Sequence, residues 1–148
     1  MASYTHILIA LDLSAESQQV VGRVKALFGH EKPTIRVSLL HVQEPLSFAY
    51  GGDIPLDLTE IQGKLEMEAR ARLGEIGTEL GIPASDQHVT MGQPANEIRR
   101  FAKDNQVDLI VLGSHGRSGL SLLLGSTANG VLHGAKCDVL AVRIQQTD

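Results

Sequence analysis

A glycine-rich segment in the last third of the chain carries residue types that can bind a phosphate group. Gly113 and Gly116 follow an apolar run. Further along, Gly125 precedes the hydroxyl residues Ser126 and Thr127. Glycine lets the backbone approach a ligand closely, and hydroxyls beside the unpaired N–H groups of a helix N-terminus favour an anion. The segment is typical of a phosphate-binding loop or, alternatively, of a plain turn followed by a helix cap.

Other chemical motifs are missing from the chain. It has no GxxxxGK[ST] segment with its lysine, no GxGxxG segment and no GxSxG segment. No two histidines stand at positions i and i+4. A site that binds phosphates without a positioned general base holds a nucleotide and hydrolyses it slowly at most. We therefore expect a binding protein and not an enzyme.

Composition favours one globular domain over residues 1–148, because 43% of the residues are hydrophobic. The net charge of −4 argues against a duplex nucleic acid as partner. No apolar run reaches the roughly 18 residues of a membrane span, and the first residues do not resemble a signal peptide. We expect a cytoplasmic protein with no membrane partner, in which the lone Cys137 forms no internal disulfide.

Short apolar runs and helical patterns alternate along the chain. Five runs rich in β-branched residues predict strands at residues 5–11, 35–42, 87–91, 108–112 and 138–143. Helical spacing of apolar residues lies between them, most clearly over residues 58–80. Ser14 is the expected N-cap of the first helix, Pro94 the first turn of the third, and Ala128, Val131 and Leu132 the apolar face of the fourth. The predicted order is βαβαβαβαβ.

Apolar strands joined by helices predict an α/β fold with a parallel, doubly wound sheet in three layers. In such sheets, ligands bind at the carboxyl ends of the strands where the winding reverses. Asp12 follows the first predicted strand and Gly113 follows the fourth. If these strands are neighbours, both residues face one crevice. Asp12 has an alternative role as a cap of the first helix together with Ser14.

The connection over residues 43–58 is longer than usual and contains proline, glycine, Phe48 and Tyr50. One hypothesis makes it a lid over the crevice. The other makes it an irregular surface loop whose aromatic residues pack on a partner or a helix.

Four segments of the chain resemble the universal stress protein family: HILIALDLS at residues 6–14, LLHV at 39–42, DLIVLGSHGRSG at 108–119 and CDVLAV at 137–142. The resemblance extends over essentially the whole chain. It implies a five-stranded parallel sheet of strand order 3-2-1-4-5 with a nucleotide-binding fold, and a dimeric, cytoplasmic protein that responds to stress.

The ATP-binding members of that family resemble the pattern G-x2-G-x9-G-[ST]. Gly113 and Gly116 match its first part, but only eight residues separate Gly116 from Gly125 and Ser126. Glycine at position 119 tolerates a changed path, so the missing residue can be absorbed in the loop. The alternative is a helix N-terminus rotated away from the phosphates. Because the motif glycines are kept, we expect ATP binding, with Mg²⁺ on the phosphates.

The resemblance implies a contact set drawn from both ends of the chain. Asp12 would lie near the ribose or a metal-bound phosphate network, and Val42 would contact adenine, although a valine there is also a core residue in such folds. His115 would meet a phosphate or, alternatively, be an exposed loop residue. The full set is Ala10, Leu11, Asp12, Val42, Leu112, Gly113, Ser114, His115, Gly116, Gly125, Ser126 and Thr127.

The last predicted strand would lie at an edge of the sheet. Apolar edges are normally protected, so we expect residues 139–143 to pair with a second copy in a homodimer. Residues 144–148 are expected to form a polar, frayed tail. Two other functions remain open: a dimeric scaffold of the same family that binds no nucleotide, and an ATPase or nucleotidyl transferase.

Overall fold

The computed structural model describes residues 4–29, 35–45, 58–114 and 125–145. The elements alternate as the apolar patterns predict. In chain order they are β1 (His6–Ala10), α1 (Ser17–Phe28), β2 (Arg36–Gln43), α2 (Leu58–Leu80), a 3₁₀ turn (Ala84–Asp86), β3 (Gln87–Met91), α3 (Pro94–Asp104), β4 (Leu109–Gly113), α4 (Ser126–Gly134) and β5 (Asp138–Val142).

The five strands form one sheet of order β3-β2-β1-β4-β5 in which every pair is parallel. This order confirms the predicted fold class. The winding reverses between β1 and β4, whose register aligns Ile9 with Val111. At that point, the connecting helices change from one face of the sheet to the other.

Two apolar clusters cover the two faces of the sheet. Alternate side chains of a strand point to opposite faces, so neighbours in β1 join different clusters. Ile9 packs with α1 and α2, whereas Leu8 and Ala10 pack with α3 and α4. This division explains why the central strands are apolar throughout, as a sheet buried on both faces requires.

Helix α1 begins later than predicted. Its N-cap is Glu16, so the expectation that Ser14 caps the helix is wrong. The chain first turns through Leu13, which has a φ of 60°, a left-handed conformation that few non-glycine residues adopt. That turn places Ser14 before the helix, where its carbonyl accepts a hydrogen bond from Ser17 N at 3.1 Å.

Three described residues follow β5, and the last two of them are held against the rest of the protein. Ile144 is 6% exposed, and its N–H donates to Ser114 Oγ at 3.1 Å. Gln145 exchanges two hydrogen bonds with Gln19. The expectation of a frayed tail from residue 144 is therefore wrong for these residues, because an apolar side chain that reaches the core anchors the segment. Residues 146–148 lie outside the described ranges.

The predicted apolar face of α2 is buried along only its second half. Ile61 and Leu65 are 46% and 39% exposed. A helix of 23 residues is about 35 Å long, twice the length of a five-residue strand. Its first turns therefore extend past the sheet. The buried apolar residues of the second half of α2 are Ala69, Leu73, Ile76 and Leu80.

In the described part of the chain, no helix is both long enough and apolar enough to span a lipid bilayer.

On α4, Ala128 and Val131 are buried as predicted, whereas Leu132 is 41% exposed. Leu132 therefore lies off the helix face that packs on the sheet.

Candidate functional site

The carboxyl ends of β1 and β4 lie side by side, as the topological argument predicts. The pairing of Ile9 with Val111 brings the residues that follow each strand to one edge of the sheet. Asp12 therefore emerges beside Gly113 and Ser114. We call the space above these two strand ends the crevice.

The carboxylate of Asp12 has one oxygen in use and one available. Oδ1 accepts hydrogen bonds from Ser14 N at 2.9 Å and from Ser17 Oγ at 3.2 Å. Oδ2 accepts none from the described part of the chain. The side chain thus organises the turn into α1, which is close to its alternative capping role. Its second oxygen remains exposed at the crevice.

The first turn of α4 is held at the same edge by Ser114. The N–H of Gly125 donates to Ser114 O at 2.6 Å, and Ser114 N donates to Val142 O at 2.7 Å. Gly125 is the N-cap, and Asn129 N is the donor that reaches its carbonyl, at 2.9 Å. The N–H groups of Ser126 and Thr127 precede this bond, so they have no acceptor within the helix. No acidic side chain lies in this turn.

The N-terminus of α4 is therefore a positive pole next to β4. A phosphate beside Ser126 and Thr127 would accept their N–H groups without displacing an acidic side chain. Ser126 is exposed and Thr127 is half-buried, so both hydroxyls are also within reach of the surface.

The apolar residues of the predicted set divide between the two faces of the sheet. Ala10, Val42 and Leu112 share the cluster beneath α3 and α4. Leu11 packs on the opposite side, and its N–H and carbonyl bond to Leu40 O and His41 Nδ1 at 2.9 and 2.8 Å. The first three lie on one face of the sheet, where Ala10 and Leu112 are buried and Val42 is half-buried, and Leu11 packs on the other face.

Gly113 has a structural reason to be glycine besides any ligand. A Cβ there would lie 3.1 Å from Ile144 Cγ1, so the missing side chain makes room for the segment after β5. His115 and Gly116 lie outside the described residues, as do the other residues between Ser114 and Gly125. Their predicted contacts stay predictions.

Two residues at the crevice were not singled out from the sequence. His41 contacts the carbonyl of Leu11, and Arg72 donates from α2 to Leu13 O at 2.7 Å. His41 stands one position before Val42, so its place at the end of β2 was a signal. Arg72 lies 59 residues from Leu13, and no local pattern connects them.

Beside Val42, β3 contributes two buried polar atoms. Thr90 is its register partner, and neither Thr90 Oγ1 nor His88 Nε2 has a hydrogen-bond partner in the described part of the chain. Burial lowers the pKa of His88, whose ring lies 4.8 Å from that of Phe101. Burial thus disfavours the charged form of this histidine.

Within the described ranges, no group of three or more histidine, cysteine, aspartate or glutamate side chains is arranged to hold a metal ion. A divalent cation at the crevice would therefore need oxygen ligands from a bound phosphate in addition to Asp12.

Comparison with known proteins gives one consistent result. A model of the universal stress protein family matches residues 3–143. Universal stress protein A homolog 2 of Coxiella burnetii is 44% identical over 149 aligned residues, covering 98% of this chain and 99% of the relative.

Solved structures agree. That of hypothetical protein MJ0577 has a TM-score of 0.79 and 29% identity, covering 99% of this chain and 100% of that chain. A universal stress protein in complex with cAMP has a TM-score of 0.62 and 20% identity, covering 96% and 98% of the two chains.

Proposed function

The chain belongs to the universal stress protein family, and from that premise we propose that it binds an adenine nucleotide, ATP by preference, in the crevice between β1 and β4. The observation that carries the proposal is the first turn of α4. The Gly125 N–H fastens it to Ser114, and the N–H groups of Ser126 and Thr127 have no acceptor within the helix. A relative solved with cAMP supports an adenine nucleotide as the ligand class.

The parts of the nucleotide have distinct partners in this proposal. Adenine would contact the apolar residues Ala10, Val42 and Leu112, which share one face of the sheet. The phosphates would meet the first turn of α4 and the loop that starts at Gly113 and includes Ser114, His115 and Gly116. Asp12 Oδ2 would bind a ribose hydroxyl or a Mg²⁺ ion that the phosphates also coordinate.

Ser126 offers a direct test because one substitution separates folding from binding. In Ser126→Asp, a carboxylate at the first position of α4 stabilises the helix through its dipole but repels a phosphate. We expect affinity for Mg²⁺–ATP to fall about tenfold or more, with an unchanged or higher melting temperature. Ser126→Asn is the matched control of nearly equal size without the charge.

The measurement is calorimetric titration of nucleotide-free protein with Mg²⁺–ATP and, separately, cAMP. Equal affinity of the two variants would contradict a phosphate site at α4. If the unchanged protein bound neither nucleotide, the scaffold function would be favoured instead. We expect turnover to be slow at most, since the described crevice residues include no base positioned to activate a water molecule.

We further propose a homodimer that pairs β5 with its copy. β5 is an edge strand. Val142 O accepts from Ser114 N on the β4 side, so the alternating backbone groups of Val139 and Ala141 point away from the sheet. Two such edges can complete each other's hydrogen bonding, which protects both from other partners.

Ala141→Pro tests this interface because it removes an outward N–H and spares the bonds to β4. A monomer in sedimentation velocity is the expected result. Val89→Pro, on the opposite edge strand β3, is the control that should remain dimeric. A dimer in both variants would place the interface elsewhere. Val142 is unsuitable for this purpose, since it is buried within the subunit.

The cellular role follows from the family. We propose a cytoplasmic stress-response protein whose state depends on bound nucleotide, and this step rests on family membership and not on a residue of the crevice.

A further inference from the structure

The turn between β1 and α1 is held by two side chains that come from other elements. His41 on β2 contacts the carbonyl of Leu11, with 2.8 Å between Nδ1 and O. Arg72 on α2 donates to the carbonyl of Leu13 at 2.7 Å. These carbonyls belong to the residues on either side of Asp12. The backbone that carries the Asp12 carboxylate is thus fastened at both ends.

The chemistry of the two contacts is specific. A carbonyl oxygen only accepts hydrogen bonds, so Nδ1 of His41 carries the proton. The guanidinium of Arg72 is charged at any pH of interest, and a hydrogen bond from a charged donor is stronger than one between neutral groups. Both side chains therefore donate to carbonyl oxygens of the turn.

The turn needs such support because its conformation is uncommon. Leu13 has a φ of 60°, which few non-glycine residues adopt without help from their surroundings. Ser14 N closes the turn on Asp12 Oδ1 at 2.9 Å. If Leu13 relaxed to an ordinary φ, this bond would break and Asp12 Oδ2 would change direction.

We propose that His41 and Arg72 are positioning residues of the nucleotide site, which orient Asp12 through the carbonyls of Leu11 and Leu13. The inference rests on the proposed function and adds two residues to it. Neither side chain is part of the buried core: Arg72 is exposed and His41 is half-buried. Among the described residues, the side-chain hydrogen bonds of His41 and Arg72 reach this turn alone, so their loss should affect the site more than the fold.

A double-mutant cycle separates positioning from general stability. His41→Ala should weaken Mg²⁺–ATP binding about five- to tenfold, the effect of one hydrogen bond, and leave the melting temperature nearly unchanged. His41→Asn places an amide N–H where Nδ1 lies and should restore most of the affinity. In an Asp12→Ala background, His41→Ala should have no further effect. An equal loss in both backgrounds would overturn the proposal.

Arg72 is tested with a matched control on the same helix. Arg72→Gln should weaken binding by a similar factor. Arg70→Gln removes the same charge from a side chain whose ion pair in the described part of the chain is with Glu66. Arg70→Gln should bind normally. Equal losses in the two variants would mean that the positive charge of these arginines matters and not the hydrogen bond to Leu13 O. That result would overturn the positioning role of Arg72.

A measurement without nucleotide keeps this inference separate from the proposed function. Hydrogen exchange of the Ser14 amide reports the turn directly, because that amide donates to Asp12 Oδ1. His41→Ala and Arg72→Gln should speed its exchange, and His41→Asn should not. If the unchanged protein bound no nucleotide, the proposed function would fail, and this exchange rate would decide the positioning role. Unchanged exchange in both variants would overturn it.

Discussion

The two ends of the parallel sheet contain the same residue types but use them in opposite ways. At the amino end, the carboxylate of Asp108 accepts three hydrogen bonds, from Thr5 N, Thr5 Oγ1 and His6 N, each 2.9 Å long. At the carboxyl end, the hydrogen bonds that Asp12 accepts from the described residues both reach Oδ1. The carboxylate of Asp108 therefore accepts hydrogen bonds on both oxygens, whereas that of Asp12 has one oxygen left for a ligand.

Histidine and serine show the same contrast. His6 is 5% exposed, and its ring nitrogens lie 3.0 Å from Asn105 O and 2.8 Å from Ser38 Oγ. At the other end, His41 is half-buried, and Ser126 lies exposed on a helix turn with unpaired N–H groups. Polar groups bonded inside the protein stabilise it, whereas polar groups left at the surface can bind a ligand. The polar groups named at the amino end are thus bonded within the protein, whereas the carboxyl end is the one at which we propose nucleotide binding.

The largest predicted difference between the ends concerns the two histidines. His6→Ala should lower the free energy of unfolding by about 2–4 kcal/mol, because it leaves a cavity and the buried Ser38 hydroxyl without its ring partner. Its nucleotide affinity should be unchanged. His41→Ala should do the reverse. Urea unfolding and calorimetric titration of both variants check this, and equal destabilisation would remove the distinction between the ends.

Gly130 on α4 tests whether the proposed nucleotide binding depends on the packing of α4 against α3. A Cβ at Gly130 would lie 2.6 Å from Ala95 Cβ on α3, and neither helix backbone can yield cheaply. Gly130→Ala should cost about 1–3 kcal/mol of stability and also weaken ATP binding, because α4 must move. Thermal unfolding and titration measure the two effects. Full affinity in a destabilised variant would show that the crevice tolerates a displaced helix.

Acid should weaken the amino end. The hydrogen bond from Arg36 lowers the pKa of Asp86 below 3.8. Burial raises the pKa of Asp108, but hydrogen bonds from Thr5 and His6 outweigh it, so this pKa also lies below 3.8. Both carboxylates therefore stabilise the fold above that pH and lose their contribution as the pH falls through their folded values.

The test compares the free energy of unfolding at neutral pH with that at about pH 3. The difference should be smaller in the double variant Asp86→Asn, Asp108→Asn than in the unchanged protein. A pH dependence that survives both substitutions would assign acid sensitivity to other groups.

The smallest expected effect is a gain in stability. Apart from the adjoining residues and backbone of its own helix, no described atom lies within 4 Å of a Cβ built at Gly22, inside α1. Gly22→Ala should therefore stabilise the protein by up to about 1 kcal/mol, since alanine favours the helix and restricts the unfolded chain. ATP affinity should not change. A loss of stability in thermal unfolding would mean that α1 is not regular at this position.

Much of the fold could be predicted from local patterns. The run at residues 87–91 matches β3 residue for residue, and the other four strands differ from their predicted bounds by one position at one or both ends. Those runs are apolar because both faces of the sheet are covered, so hydrophobicity alone identifies them. The family resemblance supplied the strand order, and the reversal of winding placed Asp12 beside Gly113 before any contact was known.

Other features depend on contacts between distant residues. Ile144 looked like the start of a polar tail, yet it fills the space left by Gly113. Ser14 looked like a helix cap, but the left-handed Leu13 moves the start of α1 to Ser17.

Periodicity and chain connectivity are enough to predict the alternation of strands and helices, the parallel sheet and the sheet edge proposed for the ligand. The way in which Asp12 is held emerges only in the folded chain. Its turn depends on His41, 30 residues from Leu11, and on Arg72, 59 residues from Leu13. A hydrogen bond between side chain and backbone at such separations leaves no periodic signal, since it exists only once the sheet and α2 have packed together.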